Sequence, residues 1–331
     1  SLALQTFRKL NVPYTWIDLF SVVDETDIER GILRGVGKLI TQLESTPKKA
    51  LKLATELFSG LHIRLLVHGV ALDVELKTPP KSTEETIHAI LERLHTFAAK
   101  MNKKLILFFD EFQKVAEVSS NHALEAVLRQ FAQMPSNIAF IFSGSHRHLL
   151  QQMFEDRNRP FYHLCDHIGL PRISLEAYEK YIQHAAKQTW KTTLADDVIK
   201  DILYYTERHP YYVNVLCSKL WKTKPPKTGE VEKIWFEYLF QERSNVAAEI
   251  DLLSLNQRKL LTMLARYPGI QSPRSHEFEQ KTKMPGATVA QALSFLESRD
   301  YIFRDSENKI HVLDPLIKWV LMDGKSYLTE Y

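Results

Sequence analysis

The run Leu105-Ile106-Leu107-Phe108-Phe109 ends in two adjacent carboxylates, Asp110 and Glu111. An apolar strand of this kind delivers them to its C-terminal end, the edge at which open α/β sheets bind their ligands. The two carboxylates point differently, so they can divide the labour. Asp110 suits the water shell of a Mg²⁺ that bridges the β- and γ-phosphates of a nucleoside triphosphate. Glu111 suits orienting and deprotonating the attacking water, an effect of about 10²–10⁴ in rate. The next apolar run, Ile138 to Phe142, ends in Ser143, Gly144 and Ser145. A hydroxyl at the tip of that strand can reach a γ-phosphate or the attacking water. Both patterns also arise blandly, as a strand ending in acids and a Ser-Gly-Ser turn before a helix.

Phosphate chemistry also needs a loop of the form GxxxxGK[ST], whose backbone N–H groups surround the phosphates. The stretch Gly31-Ile32-Leu33-Arg34-Gly35-Val36-Gly37-Lys38-Leu39 fails on counting, because five residues rather than four separate Gly31 from Gly37. Leu39 stands where a hydroxyl is required, and the surrounding pattern is helical.

Around these residues the chain reads as an α/β protein. Residues 1–10 have helical spacing, Pro13 ends them, and 12–20 reads as a strand. A helical stretch follows to about residue 60, then one or two strands over 63–76 and a proline loop at 77–82. Ser82 with Glu85 predicts a capping box before a helix over 82–100. The segments 104–112 and 137–145 hold uninterrupted apolar runs, the signature of parallel strands covered on both faces. Between them, 123–134 reads as the helix of a crossover, and 167–173 as a weaker third strand. After Ser174 the pattern is helical to 250. Three short helices and a hairpin around Ser306-Glu307-Asn308 then give the order of a winged helix.

The segments LILFFDEFQ, IAFIFSGSHRHLL, RNRPFYH and ERHPYYVNVLC together resemble the archaeal-type ATPase family, within the STAND class of AAA+-related P-loop NTPases. The resemblance runs from Ser1 to the C-terminal DPLIKWVL. It implies a P-loop NTPase-like parallel sheet flanked by helices over 1–173, without its N-terminal strand and Walker A. It further implies a helical lid over 174–250 and a winged helix over 251–331. Asp110 and Glu111 become the Walker B pair and Ser143 the sensor on the next strand, with Gln113 matching the family's DEFQ. His209-Pro210 becomes the lid turn against the adenine. The family's phosphate loop ends GK[ST] and runs into a helix like SLALQTFRKL, which makes Ser1 the last residue of that motif or the one after it. The loop itself is then expected upstream. Two positions depart from the family: Glu207 and Arg208 replace small residues, and His163-Leu164 replaces Gly-Arg after PFY. With that arginine missing, Arg157 and Arg159 are the alternatives for a trans-acting role, against the simpler reading of solvated loop side chains.

The resemblance implies ATP and Mg²⁺ as cofactors and a slow ATPase working as a nucleotide-controlled switch. A winged-helix DNA-binding regulator or a scaffold with a degenerate ATPase core is the alternative. The chain has 331 residues, 44% apolar and 25% charged, with net charge +3 from 43 basic and 40 acidic groups. No global field therefore demands nucleic acid, and DNA contact would fall to a local patch within 251–331. There, Lys281, Lys283, Arg299 and Arg304 could meet phosphates, but Gln291 alone suits base reading. A protein partner or self-association is the other expectation for this part. The two cysteines, Cys165 and Cys217, point to a reducing, cytoplasmic setting, and no apolar run reaches the roughly 18 residues of a membrane span.

Overall fold

A computed structural model describes residues 2–44, 46–60, 63–68, 71–76, 82–119, 121–134, 137–222, 224–273 and 275–322. The chain divides into two compact units, Ser1–His167 and Ile168–Tyr331.

The first unit runs α1 (Leu2–Leu10), β1 (Tyr14–Asp18), α2 (Glu25–Leu43), α3 (Pro47–Leu57), β2 (Ile63–His68) and β3 (Ala71–Leu76). It continues with α4 (Thr83–Lys100), β4 (Leu105–Asp110), α5 (Gln113–Val118), α6 (Ala123–Gln133), β5 (Ile138–Phe142) and α7 (Arg147–Glu155). Strands β1, β4 and β5 form a parallel sheet in that order, with Tyr14 opposite Ile106 and Leu105 opposite Ile138. β2 and β3 form a separate antiparallel hairpin, so the 63–76 segment is two strands.

Alternation along the strands sorts the side chains onto two faces. On one, Ile106 and Phe108 pack with Phe7 of α1, whose ring meets Phe108 edge-on at 5.6 Å. On the other, Leu105, Leu107 and Phe109 join the larger core built by α2, α3, α4 and α6. β4 is therefore apolar throughout because it is covered on both faces. β5 departs from the expectation of double coverage. Only Ile138 is fully buried, Ala139 is exposed, and Phe140 to Phe142 are half-buried.

Local signals position these elements. Asp24 caps α2, its side chain accepting the Asp27 N–H at 2.9 Å. Ser82 caps α4 by accepting the Glu85 N–H at 3.3 Å. The reciprocal half of the expected capping box, Glu85 accepting the Ser82 backbone N–H, does not form, and the Ser82 hydroxyl is donated to Glu84 at 2.5 Å. The reciprocal box occurs in the second unit, between Ser254 and Gln257.

The glycine-rich stretch 31–37 lies within α2, and its role is packing. A Cβ on Gly35 would lie 2.8 Å from Ile17 Cγ1 and 3.0 Å from Thr15 Oγ1, both in the buried face of β1. Gly35→Val is expected to destabilise the first unit by roughly 1–3 kcal/mol through overpacking. At Gly31 the same atom would make an ordinary 3.5 Å contact. Gly31→Ala should therefore be neutral, or raise stability by up to about 1 kcal/mol through helix propensity. Thermal unfolding of the two variants checks the contrast, and equal midpoints would refute it.

The second unit runs α8 (Leu175–Trp190), α9 (Asp196–Tyr205), α10 (Pro210–Leu220), α11 (Glu230–Asp251), α12 (Leu255–Arg266), α13 (His276–Thr282) and α14 (Gly286–Ser298). It ends in the antiparallel hairpin β6 (Ile302–Arg304) and β7 (Ile310–Val312), then α15 (Pro315–Met322). All pack around one core in which Trp235 is fully buried. Tyr212 of α10 donates to the Asp314 carboxylate at 2.7 and 2.8 Å. Asp314 in turn accepts the Leu316 N–H at the start of α15. Trp319 reaches back to the Tyr205 carbonyl at 3.0 Å, so α15 closes onto α9 and α10.

The strand expected over 167–173 does not form, and these residues have no regular secondary structure. Ile168 and Leu170 are 84% and 67% exposed. Their alternation matches a strand, but among the described residues no neighbour pairs with it. Among the described residues no helix is long and apolar enough to cross a membrane.

Candidate functional site

The C-terminal edge of the β1–β4–β5 sheet gathers three of the expected site residues. β4 delivers Asp110 on the α1 face, level with Asp18 of β1. The Asp110 carboxylate is held from both sides. Ser143, just past β5, donates its hydroxyl to Oδ1 in a short hydrogen bond. The Trp16 indole donates to Oδ2 at 3.3 Å. The ladder continues past the strand ends, with Ser143 N–H on the Phe109 carbonyl at 2.8 Å and Phe112 N–H on the Ser143 carbonyl at 2.9 Å. These backbone bonds fix Ser143 beside Asp110.

Glu111 then leaves the strand in the left-handed region, at φ 54°. That conformation costs a non-glycine residue about 1–2 kcal/mol, and it separates the Glu111 side chain from the path of Asp110. Gln113, buried at the start of α5, donates its amide to Glu111 Oε2 at 2.5 Å. Ser145 adds its hydroxyl at 2.8 Å and its backbone N–H at 3.5 Å to the same oxygen. Burial pushes the Glu111 carboxyl upward, but these bonds and the charge of Lys114 outweigh it and hold the group below its ordinary range. Glu111 is therefore held as an anion, with these donors gathered on one of its two oxygens.

The other expected positions lie elsewhere. His209 precedes α10 as its N-cap residue, Pro210 occupies the first helical position, and the His209 ring rests 5.0 Å from Tyr212. Glu207 and Arg208, the pair that replaces small residues, both adopt left-handed φ, at 47° and 56°. That backbone region is the one glycine adopts most readily. Here the pair is tied down instead, Glu207 by the Lys318 ammonium and Arg208 by the Ile173 carbonyl. Ser1 lies outside the described residues.

Arg159 is not a solvated loop side chain. It is 13% exposed and donates to Glu125 Oε1 at 2.8 Å and to the His122 ring at 2.6 Å, and Glu125 is fully buried. Arg157 is exposed. In the second unit, Arg304 is paired with Glu297 at 2.7 Å, and Lys281 lies over the Tyr267 ring at 5.3 Å. The Arg299 guanidinium lies over the Phe295 ring at 5.9 Å, so three of the four cations named for phosphate contact are engaged within the fold.

No family model and no curated protein matches the chain. Among solved structures it is similar to the Walker-type ATPase PABY2304 of Pyrococcus abyssi, with a TM-score of 0.53 at 16% identity, over 96% of this chain and 93% of that one. The fold is that of the P-loop ATPases. A further likeness is to the ORC2 protein of Aeropyrum pernix in its ADPNP–ADP complexes, with a TM-score of 0.49 at 14% identity, over 98% of this chain and 81% of that one. In this fold the β4 edge corresponds to the ligand edge of an open parallel sheet.

Sequence reasoning named Asp110, Glu111 and Ser143 but missed Trp16, and it gave Ser145 no partner. Ser145 had a visible signal as the second hydroxyl of the Ser-Gly-Ser tip. Trp16 had none, since nothing local announces that β1 pairs with β4 in the register that sets its indole beside Asp110.

Proposed function

We propose that this chain is a nucleotide-controlled switch of the STAND class, binding Mg-ATP at the β4 edge and hydrolysing it slowly. The observation that carries this reading is the pairing of Asp110 with the Ser143 hydroxyl at the C-terminal edge of a parallel sheet, with Glu111 next in line. Asp110 suits Mg²⁺, an ion that keeps several waters and binds through one or two carboxylates plus substrate phosphates. When bound, the ion would neutralise charge developing on the phosphates. Glu111 would take the proton of the attacking water as its oxygen bonds to the γ-phosphorus and the bond to the β-phosphate oxygen breaks, leaving ADP and phosphate. Ser143 would hold Asp110 before nucleotide binds and then turn its single hydroxyl proton to the γ-phosphate.

A phosphate-cradling loop must lie beside Asp110, and the helical stretch 31–37 does not supply it. Among the described strands β5 is an end strand of the sheet, and a further parallel strand carrying such a loop would pair along it. α1 supports the same arrangement. Its last turn meets Tyr14 at the start of β1, so its first residues face the strands' C-terminal ends. In the second unit, His209 and Pro210 are the proposed adenine contacts. Residues 174–250 are the proposed lid, and 251–331 a winged helix that responds to nucleotide state.

Equilibrium binding of ATP to the full chain, with and without Mg²⁺, tests the reading. Wild type is expected to bind more tightly with the ion, and Asp110→Asn to lose about 10–100-fold of metal affinity. Binding that is absent, or indifferent to Mg²⁺ and to Asp110→Asn, would remove the proposal.

A further inference from the structure

Two consecutive residues with side chains, Glu207 and Arg208, hold left-handed backbone at φ 47° and 56°. Strain of that kind persists only where surrounding contacts impose it. Around this turn those contacts lead to α15 and the two residues before it.

The Trp319 indole donates at 3.0 Å to the Tyr205 carbonyl, one of the last carbonyls of α9, which the helix itself does not satisfy. The Glu207 carboxylate accepts a short hydrogen bond from the Lys318 ammonium. The Glu207 and Lys318 side chains are 27% and 17% exposed, so the pair escapes much of the screening that weakens surface ion pairs. Past Pro210, the Tyr212 hydroxyl is donated to the Asp314 carboxylate, which also accepts the Leu316 and Ile317 N–H groups at the start of α15. The His209 ring rests 5.0 Å from that of Tyr212. Residues 172–173 add a strap. Arg172 donates to the Leu313 carbonyl at 2.8 Å, and Arg208 donates more weakly to the Ile173 carbonyl at 3.4 Å.

These anchors stand on both sides of His209 and Pro210. The turn closes without them, through bonds from the Glu207 N–H to the Tyr204 carbonyl and from the His209 N–H to the Thr206 carbonyl. What α15 adds is a fixed orientation for the two residues between its anchors.

We propose that Asp314, Lys318 and Trp319 are positioning residues for His209 and Pro210, so that α15 sets how well the turn receives an adenine ring. This assignment rests on the nucleotide reading given above. Whatever displaces α15 releases the turn, and a base seated against the turn holds α15 in place. Coupling of this kind is reciprocal, each event favouring the other by the same factor.

The test uses the full chain and two readouts. The first is amide hydrogen exchange at His209 and Val213, whose N–H groups bond to the Thr206 and His209 carbonyls. Lys318→Met keeps the apolar stem and removes the charge. Glu207→Asn removes the carboxylate but leaves a residue that tolerates left-handed backbone, which guards against misfolding. Each is expected to speed exchange at both amides by about fivefold or more, as local opening becomes easier, and to leave α8 and α14 unchanged. Exchanging the charges, Glu207→Lys with Lys318→Glu, is expected to restore most of the protection. Unchanged exchange in both single variants overturns the positioning role, whether or not the protein binds ATP.

The second readout is affinity for ATP and for tripolyphosphate, which lacks the base. Lys318→Met is expected to weaken ATP by about fivefold, the low end of coupling between sites, and to leave tripolyphosphate within about twofold of wild type. Equal losses for both ligands, or none for ATP, overturn the link to adenine. Wild type that binds no ATP would sink the nucleotide reading and that link together. The exchange rates would still decide whether α15 fixes the turn.

Discussion

Glu111→Gln is expected to lower ATP turnover by about 10²–10⁴-fold, the usual range for loss of a general base. At 25 °C that corresponds to about 3–5 kcal/mol of transition-state stabilisation. ATP affinity should stay within a few fold, because the substitution leaves Asp110 and its bonds to Ser143 and Trp16 in place. The amide also fits the site. Ser145 can donate to its carbonyl oxygen, and the NH₂ group can turn toward the orphaned Oε1 of Gln113. Folding is therefore not expected to suffer, and lost turnover can be read as lost chemistry. Asp110→Asn should behave differently, weakening the Mg²⁺ dependence of binding itself. Single-turnover hydrolysis alongside equilibrium binding separates the two. Full turnover in Glu111→Gln would remove Glu111 from the reaction and leave Asp110 with a binding role alone.

What the sequence made legible here follows from how local each signal is. β4 could be read because a strand buried on both faces must be apolar at every position, and its acidic end then stands out. The helix over 25–43 could be separated from a phosphate loop by spacing alone, and the structure supplies the reason for its glycines in the contact of Gly35 with Ile17. The strand expected over 167–173 fails for the complementary reason. Alternating apolar residues state a preference for extended backbone, but a strand exists only when a neighbour accepts its hydrogen bonds. The same limit hid Trp16, which meets Asp110 only through the β1–β4 register, 94 residues apart in sequence. It also hid the burial of Glu125. A glutamate on a helix that is otherwise amphipathic reads as solvated, and its partner Arg159 lies 34 residues away in a turn.

That hidden pair leads to the second large effect. Arg159→Ala is expected to destabilise the first unit by about 3–5 kcal/mol, the cost of leaving a buried charge uncompensated. Glu125 is fully buried on α6, its Oε2 has no partner, and its Oε1 relies on Arg159 at 2.8 Å and His122 at 3.1 Å. Against a total stability of about 5–15 kcal/mol for an ordinary domain, such a loss would leave the unit partly unfolded at moderate temperature. Adding Glu125→Gln should recover much of it, since an amide can be buried at far lower cost than an ion. With two units in the chain, one unfolding midpoint would mix their responses. Hydrogen exchange at α6 and β4 amides isolates the relevant one. Arg157→Ala, an exposed neighbour, should leave that exchange unchanged. If Arg159→Ala kept native exchange rates but lost ATP turnover, Arg159 would belong to the chemistry. The burial of Glu125 argues for the opposite result: this arginine is spent on holding α6 to the 156–162 turn, and it is not free to reach a nucleotide.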